Sequence, residues 1–159
     1  CTNQVRQGGG GSGEVTPGGE AVKFYSSLRI RIGPLFTGAK IIKKTKVDIN
    51  GTEKEVGKIV GINSLCKITK SSIDEPFREA PVSIIFGYGI DDVRANLQYV
   101  KDMSSKTKYD AITKEWQSMD NAIRYIEENN LEHKLKERTI EIWEKVETSF
   151  NINRKKKER

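Results

Sequence analysis

Along residues 21 to 86 apolar and polar positions alternate with the period of two that belongs to β-strands, and after residue 90 the spacing becomes that of helices. Four stretches carry the alternation: Ala21 to Ile32, Ala39 to Ile49, Glu55 to Lys70 and Pro81 to Phe86. Gly33-Pro34 and Asn50-Gly51 divide them. Asn-Gly tolerates positive φ at both turn positions, so Ile42 to Asn50 and Thr52 to Ser64 are expected to fold back as a hairpin. Beyond Gly87-Tyr88-Gly89, Val93, Leu97 and Val100 recur at helical spacing behind Asp91 and Asp92, either of which suits a first helical turn. Met119, Ile123 and Ile126 repeat the pattern behind Ser118. A third helix is expected from about Leu131, through Leu135, Ile142 and Val146, to about Phe150. Between the first two helices, Tyr109 to Trp116 fits a helical turn and a small hairpin equally. Residues 1 to 20 are polar, with Gly8 to Gly13 interrupted only by Ser12; such a run costs too much backbone entropy for a regular element and is expected to be a loop. The tail from Asn151 to Arg159 is expected to fray.

At 159 residues, 35% hydrophobic and 31% charged, the chain has the make-up of a globular protein, and no run is apolar enough to span a bilayer as a helix. Cys1 and Cys66 are its only cysteines, too few for a disulfide framework, and no charged-then-apolar leader is visible, so the cytoplasm is the expected compartment. The net charge of +6 concentrates in runs such as Lys40 to Lys46 and Arg154 to Arg159. These runs suit a polyanion partner or simply solubility.

Self-contained chemistry is missing. There is no G-x-x-x-x-G-K-[ST] loop and no cysteine–histidine metal cluster, and the one histidine, His133, sits in a lysine-rich helix as a solvated residue. Cys66 lies within a strand pattern, where a buried, inert thiol is expected. Asp91-Asp92 reads as a helix N-terminal charge pair and not as a general acid and base.

Four blocks, in order, carry a family resemblance. Asn3-Gln4-Val5-Arg6 resembles the N-Q-[IV]-R segment that leads into the second DNA-binding loop of RecA-family recombinases. Gly18-Gly19-Glu20-Ala21-Val22-Lys23-Phe24-Tyr25-Ser26-Ser27-Leu28-Arg29 is similar to their G-G-x-A-[LV]-K-F-Y-[AS]-S-[VL]-R. Lys67 to Lys70 with Pro76 to Ala80, and then Ile85 to Ile90, match the two blocks that follow. The resemblance spans residues 3 to 90; beyond that it extends only to the general helical plan.

The resemblance implies an α/β fold: terminal strands of a RecA-type core sheet over residues 1-90, including a Gly-rich DNA-binding loop at 7-19, then a small α (α+β) C-terminal domain over 91-150 and a basic tail at 151-159. It implies that Gln4 senses the γ-phosphate of ATP, a task suited to an amide that can donate or accept. Arg6, Gly18 and Gly19 would touch single-stranded DNA, and Lys23, Phe24, Tyr25 and Arg29 would face the neighbouring subunit on a strand. Phe24 read by itself suits a core position as well. Lys70 would act catalytically by reaching a neighbouring protomer's ATP, as an arginine finger does; without the resemblance it is an ordinary solvated lysine. ATP and Mg²⁺ would belong to the intact protein, with none bound by this stretch alone. The partners implied are single-stranded and duplex DNA and further copies of the protein in a helical filament, serving recombination and repair.

Three departures stand out. Ser72 occupies the place of a second trans-acting lysine, so trans-activation is expected to be weaker. Gln7 to Gly13 replaces a longer loop with apolar side chains, as an unusual natural loop or an inserted linker would. Arg154 to Arg159 is basic where many bacterial members end acidic. The chain, beginning at Cys1, is read as a fragment inactive as an ATPase by itself. The competing readings are a non-enzymatic basic DNA-binding module and a regulator of recombinase filaments.

Overall fold

The structure, a computed structural model, describes residues 2–4, 6–7, 14–15, 17, 21–35, 37–151 and 154. The chain divides into two compact units, residues 1–35 with 64–81 and residues 36–63 with 82–159.

In the first unit, β1 (Arg6–Gln7) pairs antiparallel with β2 (Glu14–Val15), closing the base of the loop whose glycines lie outside the described residues. The segment expected as one strand from Ala21 to Ile32 is two elements. Ala21–Tyr25 forms a short helix, α1, and the strand β3 (Leu28–Pro34) follows. Lys23, Phe24 and Tyr25 therefore stand on a helical turn, and Gly33-Pro34 lies inside β3 instead of ending a strand before it. Proline is tolerated at the end of β3 because a strand terminus can forgo the missing N–H. β3 pairs antiparallel with the second half of β5 (Thr52–Ser71), from Leu28 opposite Ser71 to Pro34 opposite Ser64.

In the second unit, β4 (Lys40–Ile49) and the first half of β5 form the expected hairpin. Ile49 pairs with Thr52, and Asn50 and Gly51 take φ of 55° and 80° at the turn. β6 (Glu79–Ile85) begins in the first unit and ends in this one, where β7 (Gly89–Ile90) pairs with it. At Gly61 the Ile84 carbonyl oxygen comes so close that a Cβ would lie 2.5 Å from it.

The expected helices follow as α2 (Asp92–Met103), α3 (Met119–Glu128) and α4 (Glu132–Ser149). Asp91 caps α2, accepting from the Arg94 N–H at 2.9 Å. Arg94 in turn bridges Asp91 and Asp120 at 3.0 Å each, joining the starts of α2 and α3. Between α2 and α3 the open choice resolves as a hairpin, β8 (Tyr109–Asp110) against β9 (Glu115–Trp116), with Lys106 paired to Asp110 and Glu115. Val93, Leu97 and Val100 of α2, Ala111 in the β8–β9 turn, Ala122 and Ile126 of α3, and Leu131 and Leu135 at the start of α4 make one buried cluster. His133 is exposed and pairs with Glu137, as a surface residue does. Cys66 is a free thiol in β5, only half-buried. No helix among the described residues is long and apolar enough to cross a membrane.

Candidate functional site

The described residues singled out from the sequence for chemistry all fall in the first unit. Its centre is the meeting of α1, β3 and β5. A five-residue helix leaves its last carbonyls without intrahelical partners. Here the Lys70 ammonium meets two of them, donating to the Lys23 oxygen at 2.7 Å and the Phe24 oxygen at 3.1 Å. A cation at a helix C-terminus is also where the helix dipole favours it.

A bulge helps to set that geometry. Arg29 pairs with Lys70 but Ile30 pairs with Ile68, leaving Thr69 as the extra residue on β5, with its hydroxyl donating to the Arg29 oxygen at 3.3 Å. A bulge breaks strand alternation and re-aims the side chain beside it. Ser72, which stands where the resemblance implies a second lysine, donates its N–H to the Ser27 oxygen at 2.8 Å and brings no charge. The turn after β5 is held by the Ser71 hydroxyl, which accepts from the N–H groups of Ile73 and Asp74.

The α1 aromatics are not core residues: Phe24 is 76% exposed and Tyr25 is 89% exposed. Ile30 and Ile32 on β3 are exposed too, so the first unit carries several uncovered apolar side chains. Gln4 and Arg6 are exposed on the segment entering the loop, where the Asn3 amide donates to the Pro17 oxygen and ties the two sides together. The structure thus brings Lys23, Phe24, Arg29 and Lys70 together. It joins neither the Gln4 nor the Arg6 side chain to Lys70 by a hydrogen bond among the described residues. Gly18 and Gly19 lie outside the described residues. No group of three or more His, Cys, Asp or Glu suited to a metal occurs among the described residues.

Reading the sequence missed the α1 helix, the Thr69 bulge and the bonds from Lys70 to the α1 carbonyls. The adjacent pair Phe24-Tyr25 was the available signal, because in a half-buried strand one of two neighbours turns away from the core.

Comparisons with known proteins cover the same stretch and more. The family model for the RecA N-terminal domain matches residues 1–91. A RecA protein of Clostridioides difficile (strain 630) is 32% identical over 165 residues, taking in 98% of this chain and 41% of its own length. That of Gloeothece citriformis (strain PCC 7424) is 38% identical over 141 residues, 80% of this chain and 34% of its own. That of Caldanaerobacter subterraneus subsp. tengcongensis is 31% identical over 159 residues, 94% and 40% respectively. The similarity therefore runs on into the helices, beyond the four blocks, and the chain spans 41% or less of the length of these relatives.

Proposed function

The chain belongs to the RecA family, and from that premise we propose that it is the C-terminal part of a recombinase that holds single-stranded DNA in an ATP-dependent filament. The complete protein would promote homologous pairing and strand exchange in DNA repair. One observation carries the reading: the family model spans residues 1–91, the whole stretch in which the four ordered blocks stand.

The first unit supports particular roles. An ammonium has three donors, and Lys70 spends two on the α1 carbonyls, so one is left for a phosphate oxygen. Bound ATP with Mg²⁺ would supply the phosphoryl charge that this cation neutralises across a protomer boundary. Gln4 offers an exposed amide on the segment that enters the loop, and Arg6 an exposed guanidinium that can grip a DNA phosphate. Gly18 and Gly19, by resemblance, would let backbone N–H groups approach the same strand. Phe24 and Tyr25, adjacent and bare in one protomer, suit burial against the next, since aromatic anchors dominate protein interfaces. Lys23 and Arg29 flank them. With Ser72 in place of a second cation, Lys70 acts without help.

The test is hydrolysis of ATP by the full-length protein with and without single-stranded DNA. DNA should stimulate the wild-type rate, and Lys70→Met should lower the stimulated rate by about 100-fold, the usual cost of losing one transition-state donor. A rate indifferent to DNA, or a stimulated rate unchanged in the variant, would refute the assignment.

A further inference from the structure

The tip of the β4–β5 hairpin carries a reactive pair that none of these roles uses. Asn50-Gly51 is the one Asn-Gly pair in the chain. Both residues are exposed, and a Cβ built on Gly51 would meet no atom within 4 Å, so the turn stands clear of its surroundings. The side-chain amide of an asparagine is open to attack by the backbone nitrogen of the next residue, because the ring that closes has five members. Glycine in the next place has no side chain to obstruct that path.

In the closed turn the attack is held off. Asn50 and Gly51 sit at φ of 55° and 80°, the two positive angles of a two-residue hairpin loop. The Gly51 N–H donates to the Asp48 carboxylate at 2.8 Å, so the attacking nitrogen is engaged and its direction fixed. Reaction needs that nitrogen about 3–3.5 Å from the amide carbon and aligned with it. The backbone must therefore rotate at Asn50, and the bond to Asp48 must break. Little else opposes this opening. Every residue from Ile42 to Ile59 is exposed, a two-stranded ribbon is marginally stable in water, and Asp48 stands directly opposite Glu53, a like-charge pair at the end of the ladder. Asn63-Ser64 is the contrasting case. The Asn63 amide donates to the Gly38 oxygen at 2.8 Å and accepts from the Ser83 hydroxyl at 2.8 Å, and Ser64 is buried.

We propose that Asn50 is a self-modifying site, deamidating without an enzyme, and that Asp48 is the latch that sets its rate. When the tip opens, the Gly51 nitrogen loses its proton to hydroxide and its lone pair bonds to the Asn50 side-chain carbonyl carbon. The bond from that carbon to the amide nitrogen breaks, and the nitrogen leaves as ammonia after taking a proton from water. Water then adds to either carbonyl of the five-membered imide, opening it to aspartate or to isoaspartate. The net exchange is water for ammonia, with no oxidant or cofactor. Aspartate at this place sets a third carboxylate beside Asp48 and Glu53. Isoaspartate does more, because the main chain then runs through the former side chain and gains a carbon. A two-residue loop so lengthened no longer matches the Ile49–Thr52 pair, and the ribbon loosens from its tip.

The inference is independent of the recombinase reading. Full-length wild type, Asp48→Ala and Asn50→Gly, each checked for folding by circular dichroism, are incubated for several weeks in neutral buffer at physiological temperature beside a synthetic peptide of residues 46–54. Mass spectrometry with electron-transfer fragmentation follows the peptide that contains Asn50 and tells aspartate from isoaspartate. Wild type should lose ammonia at Asn50 while Asn63 keeps its amide, more slowly than the free peptide and faster in mildly alkaline buffer. Asp48→Ala should react about fivefold faster than wild type, the factor that one exposed hydrogen bond is worth. Asn50→Gly, which tolerates the positive φ, should show no change at the tip. Amide exchange over residues 43 to 58 should quicken as wild type ages and stay constant in Asn50→Gly. An Asn50 as durable as Asn63 overturns the site, and an Asp48→Ala rate no higher than that of wild type overturns the latch. Unaltered exchange in protein shown to carry isoaspartate overturns the loosening.

Discussion

Replacing Lys70 by methionine keeps the side-chain stem and removes the ammonium that ties α1 to β5. Two hydrogen bonds disappear: one to the Lys23 carbonyl, partly buried at 2.7 Å, and one to the Phe24 carbonyl, exposed at 3.1 Å. Hydrogen bonds made by a charged group are worth about 1.5 kcal/mol when partly buried, and an exposed one contributes about 0.5 kcal/mol because water replaces it. The sum, about 2 kcal/mol, corresponds to a factor of about 30 in a local opening equilibrium. α1 has five residues and no buried side chain, so no packing compensates. Amide hydrogen exchange followed by mass spectrometry should show peptides from 21 to 27 exchanging about 30-fold faster in the variant, with α2 to α4 unchanged. The reporter amide is Ser26, which donates to the Val22 oxygen. Unaltered exchange over α1 would mean that Lys70 does not hold the helix. Equal acceleration in α2 to α4 would mean that the effect is global.

Other expectations follow from packing and charge. Leu135→Ala empties a fully buried site in the helical cluster and should cost about 3 kcal/mol in urea unfolding followed by helical circular dichroism. Gly61→Ala drives a methyl to 2.5 Å from the Ile84 carbonyl and should cost about 1–3 kcal/mol, whereas Gly57→Ala, whose nearest neighbour is an Ile42 methyl at 3.4 Å, should stay within about 0.5 kcal/mol. Lys106 is held above the ordinary lysine range by its hydrogen bonds to Glu115 and then Asp110. Its folded value is the higher one, so its stabilisation is complete below the unfolded lysine value of about 10.4 and is lost as pH rises through the folded value. The urea-midpoint difference between wild type and Lys106→Met should therefore be constant at neutral pH and disappear in strong alkali.

What the sequence disclosed follows from how local the cause is. The hairpin turn was legible because Asn50 and Gly51 alone can satisfy its two positive φ angles, and the start of α2 because Asp91 caps within three residues of itself. α1 was not legible. Five residues carry no period, and what stabilises their last carbonyls is a lysine 47 positions away from the first of them. The β8–β9 hairpin stayed undecided for a similar reason: its strands have two residues each, and Lys106 joins Asp110 to Glu115 only once they pair. Cys66 was rightly placed in a strand, but how deeply it is buried depends on neighbours that the alternation does not name. For the site, the residue identities were visible in the four blocks, while the Thr69 bulge exists only in a register.

Whether the chain is part of a recombinase is decided by binding of the full-length protein to single-stranded DNA in the presence of a non-hydrolysable ATP analogue and then of ADP, with strand exchange scored on the same preparation. Filaments and tight binding are expected with the analogue, weaker binding with ADP, and exchange that requires ATP. DNA binding that is the same with either nucleotide, together with no exchange, would contradict it.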